Sequence, residues 1–263
     1  MNITFLGTCS GTEPMPGRRH TSFVVESSGG VYWFDAGEGC SHTAHNLGVD
    51  LLAVRAIFIS HGHIDHVGGL ANLVWTIHKI ESRNRDPARC QRGRTVPVFL
   101  PTLGAWEGIP RMLRSTPAGH AQDSVVLEGQ EYGDGVIYAD DAVRVTARHN
   151  CHLGEPAPGQ PWHSFSFLIE AEGKAVVFSG DVASVGELEP LIDGCDLILM
   201  ETGHHGVESL CRHLLASGKE FGRLGFVHHG RAILADPDGQ LAIARGILGN
   251  MVFIADDGMR LAL

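Results

Sequence analysis

One short segment constrains this chain more than any other part of its sequence. Residues 61–66 read His-Gly-His-Ile-Asp-His, so four metal-binding side chains fall within six positions. The apolar run 56–59 precedes them and predicts a buried strand, while the Gly-Gly-Leu that follows closely predicts the start of a helix. On an extended loop the first two histidines can point the same way, and the aspartate and last histidine can face a second point nearby. One loop can therefore supply ligands to two adjacent metal ions.

The composition predicts a globular protein with a single domain over residues 1–263. The chain is 43% hydrophobic and 19% charged, and this length can bury a substantial core. It contains no apolar run of about 18 residues, so no transmembrane helix is expected. The first residues predict a strand and not a signal peptide. A net charge of -10 disfavours nonspecific attraction to nucleic acid.

The six cysteines are scattered along the chain and form no Cys-x-x-Cys pair. This spacing favours reduced thiols over a disulfide framework, because disulfides are rare in reducing compartments. We therefore expect a cytoplasmic protein.

The motif His-x-His-x-Asp-His followed by Gly-Gly-Leu resembles the signature of the metallo-β-lactamase superfamily. The resemblance implies an α/β fold, a four-layer αβ/βα sandwich with a two-metal site at the edge between the sheets. Two further motifs, Leu-Gly-Thr-x-Ser-Gly at 6–11 and Phe-Asp-x-Gly-Glu-Gly at 34–39, are similar to those of one branch. That branch is the tRNA 3′-processing ribonuclease Z group with its smaller phosphodiesterase and arylsulfatase relatives.

The resemblance implies a ligand set drawn from several strand ends. One ion would take His61, His63 and His149, the other would take Asp65, His66 and His228, and Asp181 would bridge the two. His149 is preferred over His152 because it falls directly at a predicted strand end. His229 is the alternative to His228 as the last ligand.

The same resemblance implies residues that support the chemistry. Asp35 would accept a hydrogen bond and orient a ligating histidine. Glu201 would support a histidine that acts on the departing oxygen. His205 is preferred for that role, because its distance before the last ligand suits the family pattern, and His204 is the alternative. Asp65 is expected to serve catalysis as well as metal binding.

These residues predict a hydrolase with two divalent metal ions, zinc first and manganese or iron as alternatives. Cleavage of a phosphodiester is the leading prediction, and hydrolysis of a carboxylic ester, lactone or sulfate ester is the enzymatic alternative. A non-catalytic metal-binding interaction protein is the alternative of another class. The expected substrate is a small anionic or ester molecule. The segment 154–161 is too short for the long tRNA-binding arm of bacterial ribonuclease Z, which argues against tRNA, and a homodimer is left open.

Four other segments carry predictions that a structure can test. Residues 7–11 form either an anion-binding turn or an ordinary one, and residues 40–54 look helical. Residues 251–263 suggest a closing hairpin around Asp256-Asp257-Gly258. Residues 82–94 form either a cationic flap or a solvated linker, with a single Asp among five arginines: Arg83, Arg85, Arg89, Arg92 and Arg94.

Overall fold

Two seven-stranded sheets pack face to face, and helices cover the outer surface of each. The computed structural model describes residues 1–91, 93–115 and 125–263. Arg92 of the arginine-rich segment lies outside the described residues. Within the described part of the chain, no helix has both the length and the apolar character that a membrane span requires. All six cysteines are free thiols, as the scattered spacing predicts.

The first sheet contains the N-terminal strands and the last strand of the chain. Its members are β1 (Asn2–Gly7), β2 (Ser22–Ser27), β3 (Gly30–Phe34), β4 (Val54–Phe58), β5 (Thr95–Leu100), β6 (Val126–Glu131) and β14 (Arg260–Ala262). Their order is β14-β1-β2-β3-β4-β5-β6. The strands from β3 to β6 run parallel, so each needs a crossover connection.

The second sheet repeats this plan in the other half of the chain. Its members are β7 (Gly135–Ala139), β8 (Val143–His149), β9 (Phe165–Ala171), β10 (Lys174–Phe178), β11 (Cys195–Thr202), β12 (Phe221–His229) and β13 (Val252–Ile254). Their order is β13-β12-β11-β10-β9-β8-β7. The strands from β10 to β13 are parallel, and those from β7 to β10 are antiparallel.

Within the described residues, eight α-helices connect these strands. They are α1 (Cys40–Asn46), α2 (Ile64–Val67), α3 (Leu70–Arg83), α4 (Gly104–Leu113), α5 (Glu189–Ile192), α6 (Val207–Ala216), α7 (Arg231–Ala235) and α8 (Pro237–Leu248). Apolar residues of α1, α3 and α4 pack on the first sheet, and those of α5 to α8 pack on the second. A third, phenylalanine-rich core fills the space between the sheets. These layers confirm the predicted αβ/βα sandwich.

Two predictions about individual elements are wrong. The helix predicted over 40–54 ends at Asn46, and the chain then passes through a short 3₁₀ turn, Leu51–Ala53. The predicted C-terminal hairpin does not form, because β13 pairs with β12 while β14 pairs with β1 in the opposite sheet. The Asp-Asp-Gly turn is tied instead to the N-terminal half, where Thr8 donates its hydroxyl hydrogen bond to Asp257 at 2.8 Å.

Candidate metal centre

The candidate site lies where parallel strands of both sheets end. Asp35 follows β3, the loop containing His61 follows β4, Asp181 follows β10, and Glu201 and His228 lie near the ends of β11 and β12. The carboxyl ends of parallel strands are where an open α/β sheet leaves a crevice for ligands. Residues far apart in the sequence are brought together at this edge.

The first group of potential ligands contains three histidines and a carboxylate, namely His61, His63, His152 and Asp181. The three imidazole rings lie with their centroids 4.7–5.0 Å apart. Asp181 Oδ2 is 3.8 Å from His61 Nε2 and 3.7 Å from His152 Nε2. Burial lowers the pKa of both His61 and His152, which favours the neutral imidazole, the form that binds a metal.

The second group contains Asp65, His66 and His228, and all three are buried. His228 Nε2 is 3.1 Å from Asp65 Oδ2, and His66 Nε2 is 3.4 Å from the same oxygen. Burial alone would lower the pKa of His228, but Asp181, Asp65 and Glu201 together raise it to about 9. Burial would likewise raise the pKa of Asp65, but the hydrogen bond with His228 and the nearby ring of His66 hold it well below its usual range. The group therefore combines anionic oxygens with imidazole nitrogens.

Asp181 faces both groups. Its Oδ1 is 3.4 Å from His66 Nε2, and its Oδ2 is 3.4 Å from His228 Nε2 while also facing the first group. The preceding Gly180 has φ of +55°, and a Cβ there would lie 2.6 Å from the carbonyl oxygen of Phe165. Only glycine fits this tight turn, which directs the carboxylate between the two groups.

Four buried atoms of the cluster have no hydrogen-bond partner among the described residues. They are His61 Nε2, His66 Nε2, Asp181 Oδ1 and His228 Nδ1. A buried polar atom left unpaired costs about 1–3 kcal/mol, so such atoms are rare unless they bind something. Their concentration in one cluster fits the two divalent cations that the sequence resemblance implies.

Asp35 holds Ser60 and His66 in position through hydrogen bonds. Its Oδ2 accepts hydrogen bonds from His66 Nδ1 at 2.7 Å and from the Ser60 hydroxyl at 2.8 Å. Its Oδ1 accepts the Ser60 backbone N–H at 2.7 Å. Because Nδ1 of His66 donates to Asp35, the other ring nitrogen is free to face the cluster with its lone pair. The structure thus places Asp35 where the resemblance implies.

Glu201 holds His204 at the mouth of the site. Its Oε1 is 3.1 Å from His204 Nδ1, and its Oε2 accepts the His204 backbone N–H at 2.9 Å. Glu201 is fully buried, but its bond with His204 and the nearby ring of His228 outweigh that burial and lower its pKa to about 2. The bond to Glu201 raises the pKa of His204, whose side chain is 46% exposed. The two bonds to Glu201 therefore fix the position of His204 at the mouth of the site.

Of the two adjacent histidines, the structure brings His204 and not His205 to the cluster. His205 Nε2 lies 2.9 Å from the carbonyl oxygen of Val182 and 3.4 Å from Glu201 Oε1. By contrast, His204 Nδ1 is 3.8 Å from Asp181 Oδ2. The potential ligand atoms of His204, Asp181 and Glu201 lie close enough together to hold one metal ion. The structure thus brings the alternative, His204, to the cluster in place of the preferred His205, and the proton-donor role itself stays a prediction.

His149 also lies outside the cluster. Its Nδ1 is 2.6 Å from Asp134 Oδ2, and its ring stacks on Trp162 with centroids 4.0 Å apart. It is the last residue of β8, on the face that packs toward the other sheet, and the chain must turn through the next residues to reach the site. His152 lies in that turn and takes the place expected of His149.

The two candidates for the last ligand are separated clearly. His228 has φ of +48°, an uncommon value for a residue with a side chain, and it reaches the cluster from the end of β12. The pairing of β11 and β12 shifts register at this point. His229 instead places its Nε2 2.7 Å from the carbonyl oxygen of Ala255. The structure thus brings His228 to the site, as expected.

A cleft of about 260 Å³ opens over the cluster. Ser10, Gly11 and Thr12 line it together with His63, Asp65 and His204. A Cβ on Gly11 would lie 3.0 Å from Asp65 Oδ2, so this loop packs closely against the ligand carboxylate. The turn after β1 therefore belongs to the site. None of the described residues of the arginine-rich segment lines the cleft.

The family model described as Beta-lactamase superfamily domain matches residues 32–218. The chain belongs to this superfamily. A ribonuclease Z of Mycobacterium marinum is 25% identical, over 98% of this chain and 96% of the relative. Two solved structures share the superfamily fold. The short form of human tRNase Z has a TM-score of 0.72 at 19% identity and covers 100% of this chain and 99% of its own. The Zn²⁺-bound PqqB of Methylobacterium extorquens has a TM-score of 0.66 at 17% identity and covers 100% of both.

In this member of the β-lactamase superfamily, the cluster brings together groups of histidines and carboxylates that could hold metal ions. The sequence leaves three pairs of histidines open. The structure brings the preferred His228 to the cluster, but in the other two pairs it brings the alternatives, His152 and His204. The only sequence signal for His152 was its closeness to a predicted strand end, and the signal for His204 was its closeness to Glu201. Neither signal could separate a histidine from its neighbour.

Proposed function

We propose that this chain is a metal-dependent hydrolase that cleaves phosphodiester bonds, acting as a single domain over residues 1–263. The observation that carries the proposal is the cluster of buried histidines and carboxylates beneath an open cleft, with His204 and Glu201 at its mouth. The buried cluster supplies a place for cations, and His204 with Glu201 supplies a proton for the leaving group.

The proposed ligand set follows the positions of the donor atoms. His61, His63 and His152 hold one ion, Asp65, His66 and His228 hold the other, and Asp181 lies between them. Imidazole and carboxylate donors suit zinc, which PqqB of the same fold binds, and manganese and iron are the alternatives. When bound, two such ions supply Lewis acidity toward phosphoryl oxygens and lower the pKa of water.

The side chains of this protein have separate tasks in that reaction. Asp35 fixes the ring of His66, so its free nitrogen keeps its direction. His204 donates a proton to the departing oxygen, and Glu201 holds the imidazole in position for that transfer. We also assign Asp65 a role in catalysis, because it contacts His66 and His228, with which it is proposed to hold one ion.

The relatives bear on the class of substrate. The name ribonuclease Z given to the Mycobacterium marinum relative favours a phosphodiester within RNA over the small ester, lactone or sulfate ester of the alternatives. Residues 150–164 join β8 to β9 directly and include no long arm, which supports a substrate other than whole tRNA. A full set of potential ligands argues against the non-catalytic interaction protein. Six free thiols fit a cytoplasmic location, which is part of the proposal.

A substrate panel tests the proposal. Zinc-loaded protein is assayed with bis-p-nitrophenyl phosphate, p-nitrophenyl sulfate, p-nitrophenyl acetate and a lactone, each with and without EDTA. We expect EDTA-sensitive turnover of the phosphodiester. Turnover of lactones alone would refute the phosphodiester proposal. Protein that binds fewer than one ion per chain after loading would support the interaction-protein alternative.

A further inference from the structure

A second surface of the molecule has the chemistry of a ligand site. It is a groove of about 500 Å³ beside the C-terminal half of α3, lined by Trp75, Lys79, Arg83, Arg89 and His45 among others. Trp75, Lys79 and Arg83 are spaced four residues apart, so they form one stripe along the helix. We call these three residues the α3 stripe.

Trp75 is unusual for its exposure. Its side chain is 47% exposed, whereas most large apolar residues of α3 are buried against the first sheet. The Lys79 ammonium lies 5.7 Å from the centre of the Trp75 ring. An exposed indole beside a cation offers a flat surface for stacking and a positive charge in the same place.

The charge of the groove is opposite to that of the whole protein. The chain carries a net charge of -10, yet no carboxylate is among the described residues that line the groove. Within the described ranges, Lys79 and Arg83 form no ion pair, while Arg89 is neutralised by Asp50 at 2.5 Å. Two cations thus remain available to a ligand on an otherwise acidic protein.

The helix that carries the α3 stripe starts near the metal centre. α3 begins at Leu70, shortly after the loop and the short helix α2 that together supply His61 to His66. A rise of 1.5 Å per residue puts Trp75 roughly 8 Å and Arg83 roughly 20 Å along the axis from that start. The stripe is therefore too long for a single small anion, and it leads away from the cleft.

We propose that the α3 stripe binds single-stranded nucleic acid, with a base stacked on Trp75 and backbone phosphates held by Lys79 and Arg83. Stacking on an aromatic ring flanked by cations is the general way in which proteins hold single strands without reading their sequence. The inference deepens the proposed function, because it assigns a polymeric phosphodiester to the chain and gives the strand a second contact beyond the cleft.

The test measures binding separately from turnover. A fluorescein-labelled dodecamer of uridine is titrated with zinc-loaded protein and followed by anisotropy, and a gel confirms that the probe stays intact. The variants are Trp75→Ala and Arg83→Glu. The control is Arg245→Glu, which makes the same change of charge on an exposed position of α8. Thermal unfolding of each variant confirms that it folds.

We expect Trp75→Ala and Arg83→Glu each to weaken binding roughly fivefold or more at low salt, and Arg245→Glu to change it less than twofold. Turnover of bis-p-nitrophenyl phosphate should be unchanged in Arg83→Glu. Equal binding by Arg83→Glu and Arg245→Glu would overturn the proposal. Size exclusion with light scattering supplies a second check. If the wild type is a dimer and Trp75→Ala is a monomer, the groove is a subunit interface, and the proposal is overturned. Intact binding with no turnover of any panel substrate would instead count against the proposed function alone.

Discussion

The exchange of His149 for His152 is the most discriminating prediction of the site. His152→Ala removes one of three imidazoles from the first group and leaves His61, His63 and Asp181 in place. Changing a residue that merely supports a ligand costs 10–100-fold in metal affinity, so losing a ligand should cost roughly 100-fold or more. We expect His152→Ala to lose one of two zinc ions and most phosphodiester turnover.

His149→Ala is the matched control, since it removes the same kind of side chain three residues earlier, at the end of β8. It breaks the partly exposed contact with Asp134, which contributes about 0.2–1 kcal/mol, and the stack on Trp162, which contributes about 0.5–1.5 kcal/mol. We therefore expect a loss of about 1–2 kcal/mol in the free energy of unfolding. Zinc content should be unchanged.

Both variants are measured in the same three ways. Zinc is counted by plasma mass spectrometry after EDTA treatment and reloading, affinity is obtained by competition with a chromophoric chelator, and stability by urea unfolding of the metal-free proteins. The reasoning is refuted if His149→Ala loses an ion and His152→Ala keeps both with unchanged affinity.

Three further predictions concern other parts of the molecule. Asp181→Ala should abolish most turnover while the protein stays folded, as circular dichroism can show, because it removes the carboxylate that faces both groups; wild-type turnover would contradict this. His204→Ala should slow the hydrolysis of substrates with poor leaving groups more than that of p-nitrophenyl esters, whose leaving group needs no proton. His205→Ala should not show this difference. Equal losses with both kinds of substrate in His204→Ala would exclude the proton-donor role. Asp140→Asn should destabilise the fold by about 1–2 kcal/mol at pH 7, since Asp140 accepts bonds from the Tyr32 hydroxyl and two backbone N–H groups. Although burial opposes the shift, these bonds lower the pKa of Asp140, so their contribution is present above about pH 4 and is lost as pH falls through the folded-state pKa. Urea unfolding at pH 7 and pH 3 should show the difference shrinking, and a constant difference would contradict it.

The sequence predicts the site best where a buried strand delivers a polar residue directly. His61, Asp181 and His228 each follow or end a strand whose apolar residues mark it plainly, and the structure brings all three together. The fold class follows from the family motif carried by the His61 loop. These features depend on local pattern, which a single sequence records.

The sequence does not decide between neighbours within a loop. His149 is at a strand end, but strand alternation turns it toward Trp162, and the turn that carries His152 inward has no periodic pattern. His204 and His205 lie in an irregular segment where no rule assigns their directions.

The failure at the C-terminus has a different cause. Asp256-Asp257-Gly258 has the composition of a hairpin turn, yet long-range contacts determine its role. Arg18 pairs with Asp256 at 2.6 Å, and the backbone N–H of Gly258 donates to the carbonyl oxygen of Phe5. The turn therefore carries the chain from one sheet to the other, and local sequence holds no record of those partners.

An anomalous diffraction map of zinc-loaded crystals, collected at the zinc edge, tests the central claim most directly. We predict two peaks, one at about 2.0–2.2 Å from nitrogens of His61, His63 and His152, and one at that distance from Asp65, His66 and His228. Asp181 should contact both. A single peak away from these residues, or two peaks that His152 and Asp181 do not touch, would contradict the account.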